Sequence, residues 1–327
     1  MRDIRVATAQ FENRDHDKAY NLSRIRELTR RAVEQGAEIV SFHEGCIPGY
    51  SWLQPLTKAQ LTEVAELVPG GHSVRELEKI AQEFGVVVMA GLIERAVDPP
   101  EKTEKLHNTY VTVTPEGYLT KFRKLHTFIS PHLTPGSEFN VIDLLGCKVG
   151  FLICYDNNLP ENVRITAMMG AEIIFMPHVT CCLPSVMPGR GVVDRKLWEN
   201  RERNPAALRQ EFLGPKGRGW LMRWLPTRAY ENGVYAVFSN PVGLDYDTVK
   251  PGLAMILDPF GEVVVESQAL GDDVVVGLLT PEKIEQSSGR RYLKARRPAL
   301  YEKLVEPQES VTLPGWQMQH SPMTNDQ

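Results

Sequence analysis

Short apolar runs alternate with longer amphipathic segments along most of the chain, and this alternation predicts interleaved strands and helices. The runs that predict strands are Ile4–Ala9, Glu38–Phe42, Val86–Ile93, Lys148–Ile153, Glu172–Met176, Val234–Ser239 and Val274–Leu279. The helical patterns are Asp17–Gln35, Val74–Phe84, Pro160–Met169 and Leu221–Glu231. Hairpins are predicted for Asn108–Val113 with Tyr118–Arg123 and for Leu253–Leu257 with Glu262–Glu266. The order predicts an α/β protein with mixed sheets covered by helices.

The composition narrows the class of protein. With 327 residues, of which 42% are hydrophobic, the chain can bury a large core without metals or disulfides. A net charge of −4 provides no overall positive potential that would attract nucleic acid, and the apolar runs are too short to span a bilayer. Residues Met1–Ala9 do not resemble a secretory signal, and five cysteines are an odd number. We therefore expect a soluble cytoplasmic protein with reduced thiols.

Two segments differ from the rest of the chain, which we predict to be a single domain over residues 1–305. Residues 185–228, the basic excursion, carry ten basic and four acidic side chains. One hypothesis is that it covers a cleft and selects a carboxylate-bearing substrate through Arg201 and Arg203. The alternative is a solvated or inter-subunit surface. Residues 306–327 are polar and predict an extended tail.

Three predicted strand ends carry chemically useful side chains. Cys154 ends a strand shortly before the helix that begins at Pro160, where the helix N-terminus favours a thiolate. Glu44 follows the strand that ends at Phe42, among apolar neighbours, and Lys124 ends another strand. Each residue also has an interpretation without a catalytic role: Cys154 as a buried inert cysteine, and Glu44 and Lys124 as solvated surface charges. Together they supply the nucleophile, general base and oxyanion stabiliser of covalent acyl transfer.

The segments around these residues resemble the three motifs of the nitrilase, or carbon–nitrogen hydrolase, superfamily, in the family's order and at similar spacing. The resemblance continues through Pro135-Gly136, Gly170-Ala171-Glu172 and later segments, and covers roughly residues 4–279. It implies a four-layer α-β-β-α sandwich without a metal or organic cofactor. It also implies a homodimer or higher homo-oligomer, in which the tail often crosses to the partner. An ordered set of motifs is more specific than any one of them.

The resemblance also implies roles for individual residues. Cys154 attacks the substrate carbon, and Glu44 takes its proton and later activates water. Lys124, with the backbone N–H of Tyr155, stabilises the oxyanion. Tyr50, Tyr155 and His178 are expected to line the substrate site.

The chain departs from the family pattern at two places. His43 replaces the proline that usually precedes the glutamate, and residues 125–134 contain no second glutamate. His132 or Glu138 is the candidate for that place, or the role is absent.

The residues after the cysteine bear on the reaction. Tyr155-Asp156 is unlike the Trp-Glu of the true nitrilases. This difference favours hydrolysis of a linear amide or N-carbamoyl group with release of ammonia. The alternatives are a nitrilase, a catalytically silent scaffold, and a papain-like pair of Cys154 with His178 or His126. Metal binding is not expected, because neither His178 with Cys181 and Cys182 nor His43 with Cys46 has the spacing of a zinc site.

Overall fold

The computed structural model describes residues 1–97 and 103–307. The strands are β1 Ile4–Gln10, β2 Ile39–Ser41, β3 Val87–Val97, β4 Glu104–Thr114, β5 Gly117–Arg123, β6 Val141–Leu144, β7 Cys147–Phe151, β8 Ile173–Pro177, β9 Tyr235–Ser239, β10 Val242–Asp245, β11 Thr248–Pro251, β12 Met255–Leu257, β13 Val263–Glu266 and β14 Asp273–Leu279. The helices are α1 Lys18–Glu34, α2 Lys58–Val64, α3 His72–Phe84, α4 Pro160–Met168, α5 Arg195–Glu199, α6 Pro205–Leu213, α7 Arg218–Leu221, α8 Leu225–Asn232, α9 Pro281–Gln286 and α10 Ser288–Lys294. Short 3-10 turns cover Ser51–Leu53, Cys154–Asn158, Pro298–Leu300 and Glu302–Val305.

Two six-stranded mixed sheets pack face to face. Their strand orders are β14-β1-β2-β3-β4-β5 and β13-β12-β9-β8-β7-β6, and the central strands β1-β2-β3 and β7-β8-β9 are parallel. The Thr8 hydroxyl donates to the Phe238 carbonyl at 2.8 Å, and the Ser239 hydroxyl donates to the Phe42 carbonyl at 2.9 Å, so hydrogen bonds join the sheets. Helices α1 and α3 share a buried apolar cluster with the first sheet, and α4 and α8 share one with the second. The predicted four-layer sandwich is confirmed.

Most predicted elements are present to within a few residues, because their apolar spacing matches their burial. In α1 the buried residues include Leu22, Ile25, Leu28 and Ala32, and the Asp17 carboxylate accepts from the Tyr20 backbone N–H at the N-terminus. The predicted helix Leu221–Glu231 is wrong at its start: α7 ends at Leu221, and α8 begins at Leu225.

The basic excursion folds back onto the sandwich instead of standing in solvent. It contains α5, α6 and α7 and the start of α8. The Trp198 indole donates to Glu12 at 3.1 Å, and Arg218 pairs with Glu266 at 2.8 Å, so two of its segments are bound to the sheet region. Residues 308–327, most of the predicted tail, lie outside the described residues. Within the described ranges, every helix is too short or too polar to cross a membrane.

Candidate active site

Glu44, Lys124 and Cys154 lie together at the ends of strands from both sheets. Glu44 follows β2, Lys124 follows β5 directly, and Cys154 follows β7. The Lys124 Nζ donates to Glu44 Oε1 at 2.6 Å, and both side chains are fully buried. Glu44 and Lys124 are also the two charged groups that act most strongly on the Cys154 thiol. The three strand ends predicted to carry chemistry therefore form one cluster.

A close backbone contact holds the loop that carries Glu44. The Ile47 backbone N–H donates to the Gly91 carbonyl on β3 at 3.1 Å. A Cβ atom on Gly91 would lie only 2.2 Å from the Gly45 nitrogen, so β3 has to present glycine at that point. This contact fixes the Glu44 backbone against the first sheet.

The Glu44 carboxylate has one well-bonded oxygen and one free oxygen. Oε1 accepts from Lys124 Nζ and, at 2.7 Å, from the Asn108 amide. Oε2 is buried and has no hydrogen-bond partner in the part of the chain that the structure describes. A buried carboxylate oxygen without a donor is an available proton acceptor.

Lys124 is held on both sides of its backbone. Its N–H donates to the Asn108 carbonyl at 2.9 Å, and its carbonyl accepts from the Gly136 N–H at 2.8 Å. A Cβ on Gly136 would lie 2.3 Å from the Arg123 carbonyl oxygen, which explains the Pro135-Gly136 match. Burial opposes the ammonium charge, but Glu44 and other nearby groups outweigh it, so the pKa of Lys124 is raised well above its ordinary value.

Cys154 begins the 3-10 turn after β7 with a φ of 49°, in the left-handed region that few residues other than glycine adopt. The buried Asp156 carboxylate accepts from the backbone N–H groups of Ile153, Leu125 and His126, so it ties this turn to the Lys124 segment. Arg228 donates to the carbonyls at the end of the same turn. A strained backbone position held by several hydrogen bonds is typical of functional sites.

The prediction that the helix N-terminus favours a thiolate is wrong. Burial, and next the negative charge of Glu44, raise the pKa of Cys154 to about 12, although Lys124 acts in the opposite direction. Helix α4 begins only at Pro160, beyond the whole 3-10 turn. The thiol is therefore protonated at neutral pH, and only a base can convert it to the thiolate.

Cys154, Tyr50 and Tyr155 line an open pocket of about 470 Å³. The basic excursion covers part of this pocket and contributes Arg190 and Trp220 to its wall. The remaining lining residues are mainly apolar or uncharged: Ser51, Gln54, Phe128, Ile129, Asn158, Val179, Thr180, Leu183, Pro184, Ser185, Val186, Met187, Asp247 and Thr248.

The two arginines that the sequence pointed to are not among these lining residues. Arg201 instead stacks over Trp198 at 4.0 Å, and Arg203 is exposed.

Three other predicted substrate residues are also absent from the pocket wall. Glu138 is exposed, and His132 is partly exposed with its backbone N–H donating to the Ser130 hydroxyl. His178 is buried, with Nε2 3.2 Å from the Asn157 amide nitrogen. Burial, with a smaller contribution from Lys124, holds the pKa of His178 well below its usual value, so the ring is neutral. The pocket therefore has no carboxylate from either candidate for the family's second glutamate.

Other groupings proposed from the sequence have different surroundings. His126 pairs with Asp156 at 2.9 Å, and within the described ranges neither His126 nor His178 makes a hydrogen bond to Cys154. In residues 1–97 and 103–307, no group of three or more His, Cys, Asp or Glu side chains could hold a metal ion.

Two residues of the site were not predicted from the sequence. Asn108 starts a predicted strand, but only the pairing of β4 with β3 and β5 reveals that its amide reaches Glu44. Arg190 is one of ten similar basic residues in the excursion, and no local pattern distinguishes it. No local signal distinguished Asn108 either, because Thr109 and Thr112 are polar residues of the same predicted strand.

Comparison with known proteins identifies the family. The model of the carbon–nitrogen hydrolase family matches residues 5–288. The chain belongs to this family. An (R)-stereoselective amidase from a Pseudomonas species is 31% identical over 301 residues, which cover 90% of this chain and 92% of the relative. An omega-amidase from Xenopus laevis is 34% identical over 263 residues, covering 76% of this chain and 79% of the relative.

A nitrilase and a solved amidase extend the comparison. The nitrilase of Pyrococcus abyssi is 29% identical over 276 residues, covering 84% of this chain and 88% of the relative. The structure of a cysteine-to-alanine mutant of an amidase from Nesterenkonia, of the nitrilase superfamily, has a TM-score of 0.65 at 22% identity. That likeness covers 92% of this chain and 97% of the other, and it shows that the two share the fold.

Proposed function

We propose that this carbon–nitrogen hydrolase cleaves a linear amide or N-carbamoyl group through a covalent Cys154 intermediate and releases ammonia. The observation that carries the proposal is the arrangement of Glu44. Its Oε1 is held by Lys124 and Asn108, and its Oε2 is buried, without a partner, beside a protonated thiol. Such a carboxylate can accept the thiol proton as the Cys154 sulfur attacks.

The proposed steps use this arrangement. The Cys154 sulfur forms a bond to the carbonyl carbon as Glu44 takes the thiol proton. The ammonium of Lys124 and the Tyr155 backbone N–H stabilise the oxyanion. Glu44 then gives the proton to the leaving nitrogen, so ammonia departs and a thioester remains. Glu44 next takes a proton from water, the hydroxide oxygen attacks the thioester, and the returning proton releases Cys154 and the acid product.

The same thiol could instead attack a nitrile carbon, and one relative is named a nitrilase. The amidase names of two others support the amide. A panel of amides, N-carbamoyl amino acids and nitriles, scored by ammonia release and by the mass of trapped Cys154 adducts, separates these reactions. Turnover of nitriles alone would overturn the amide assignment. Absence of both turnover and adducts would favour a silent scaffold.

Variants test the residue roles. We expect Glu44→Gln to lower kcat/KM by about 10²- to 10⁴-fold, which is the usual contribution of a general base. Cys154→Ala should abolish turnover, whereas Cys147→Ser should retain it. If His126→Gln or His178→Gln lowered kcat/KM more than Glu44→Gln does, a catalytic Cys–His pair would replace this proposal. Subunit pairing and a cytoplasmic location stay predictions, and light scattering measures the first.

A further inference from the structure

The pocket wall contributed by the basic excursion carries an unbalanced positive charge. Arg190 lines the pocket together with Cys154, and its guanidinium lies 3.9 Å from the ring centroid of Trp220, which also lines it. Arg190 Nε is buried, and within the described residues it has no hydrogen-bond partner. The stacking fixes the plane of the guanidinium but satisfies none of its N–H groups.

Neighbouring groups do not neutralise this charge. Among the residues that the structure describes, no acidic side chain forms an ion pair with Arg190, and the nearby Arg223 repels it. Cys182 lies close, but burial raises its pKa to about 12, so its thiol is neutral. Burial lowers the pKa of Arg190 itself, which is the sign of an ion that has lost water without gaining a partner.

One acidic residue, Asp247, also lines the pocket. Its side chain is exposed, so water screens its charge, and it makes no salt bridge to Arg190. The walls between the charged residues include Ile129, Val179 and Leu183. The pocket therefore offers an apolar stretch, a nucleophile and a fixed guanidinium to one small ligand.

We propose that Arg190 binds a carboxylate at the end of the substrate remote from the scissile C–N bond, so that the preferred substrates are amides of short carboxylic acids that carry a second carboxylate. This inference rests on the proposed amide hydrolysis. A planar carboxylate matches the fork of a guanidinium through two parallel hydrogen bonds. A neutral amide of equal length leaves those N–H groups unpaired in a partly dry site.

Succinamate and butyramide test the proposal, since they differ only in a carboxylate that replaces a methyl group. We expect the wild-type kcat/KM to be higher for succinamate. In Arg190→Gln the succinamate-to-butyramide ratio should fall by about 10- to 100-fold, mainly through the KM for succinamate. In Arg190→Lys, which keeps the positive charge but lacks the planar guanidinium, the ratio should lie between the ratios of the wild type and of Arg190→Gln. Arg203→Gln is the matched control, because Arg203 is an exposed arginine of the same excursion, and it should keep the wild-type ratio.

Binding to the Cys154→Ala variant, measured by calorimetry, separates this proposal from the proposed reaction. If the wild-type protein releases no ammonia from either amide, amide hydrolysis fails, while tighter binding of succinamate than of butyramide would still support Arg190. If butyramide binds as well as succinamate, the carboxylate site is overturned. A succinamate-to-butyramide ratio that is unchanged in Arg190→Gln or in Arg190→Lys would overturn it too. The test can therefore still be made if one of the two variants does not fold.

Discussion

Asn108→Ala tests whether the second donor to Glu44 adjusts its basicity. Asn108 is buried, and its amide donates at 2.7 Å to Glu44 Oε1, the same oxygen that accepts from Lys124. A hydrogen bond to a charged group contributes about 1.5–3 kcal/mol, and one pKa unit corresponds to about 1.4 kcal/mol. Loss of the amide should therefore remove about 1.5–3 kcal/mol of stabilisation from the charged form of the Glu44 carboxylate.

The assay is the pH dependence of kcat/KM for an amide that the wild-type protein turns over. That profile reports the free enzyme, and its acid limb belongs to the coupled cluster of Glu44, Lys124 and Cys154. In the proposed reaction the deprotonated carboxylate is the active form, so a loss of its stabilisation moves the acid limb to higher pH. We expect a shift of about one to two pH units in Asn108→Ala, from the energies above.

Thr112→Val is the matched control. Thr112 is a buried residue of the same strand, and its hydroxyl has no hydrogen-bond partner within the described chain. The valine variant should keep both the rate and the acid limb. If Asn108→Ala lowers the rate at every pH by the same factor and leaves the acid limb in place, Asn108 only positions Glu44, and the electrostatic reasoning is refuted.

Three further predictions concern the surroundings of the site. Gly91→Ala should displace the Glu44 loop, lower the free energy of unfolding by about 1–3 kcal/mol and reduce kcat, because the new Cβ would lie 2.2 Å from the Gly45 backbone nitrogen. The control is Gly271→Ala, which has open space around the new Cβ and should change neither stability nor kcat. Burial lowers the pKa of His43 to about 3. Below about pH 6.5 the unfolded chain therefore binds a proton that the folded protein does not bind. Urea unfolding should show roughly 2 kcal/mol of stability lost between pH 6.5 and 5, and a smaller loss in His43→Gln. Glu44→Gln, which should lower kcat/KM by about 10²- to 10⁴-fold, should nevertheless speed alkylation of Cys154 at pH 8, since it removes a charge that raises the pKa of the thiol; slower alkylation would contradict this view of the site.

The fold and the three central residues could be predicted because their signals are local. Strands such as β8 are runs of buried residues, and α1 repeats its apolar side chains at helical spacing. Strand β6 was not predicted because Val141–Leu144 is short and only partly buried, and the ribbon β10–β11 consists of two strands of four residues. Such short segments have no distinctive period, and tertiary pairing decides their structure.

The partners of the central residues could not be predicted, because they depend on register and on chain folding. Asn108 lies opposite Ile93 across the β3–β4 pair, and a shift of one residue would turn its amide away from Glu44. Arg190 and Arg203 are equivalent in sequence, yet one lines the pocket and the other is exposed. The hypothesis of an arginine above the cleft named Arg201 and Arg203, because composition cannot tell which arginine a loop directs inward.

The Cys154 thiol stays protonated because burial outweighs the helix N-terminus that was expected to favour the thiolate. A helix N-terminus contributes about half a unit charge near its first turn, whereas desolvation by burial acts on the whole charge of a thiolate. In the resting protein the proton therefore stays on Cys154, and the charges reside on the paired Glu44 and Lys124. In the proposed reaction, attack and proton transfer then occur together, so Glu44 has to be ionised, aligned and free at one oxygen before the substrate arrives. The bonds from Lys124 and Asn108 to its other oxygen meet these three requirements at once.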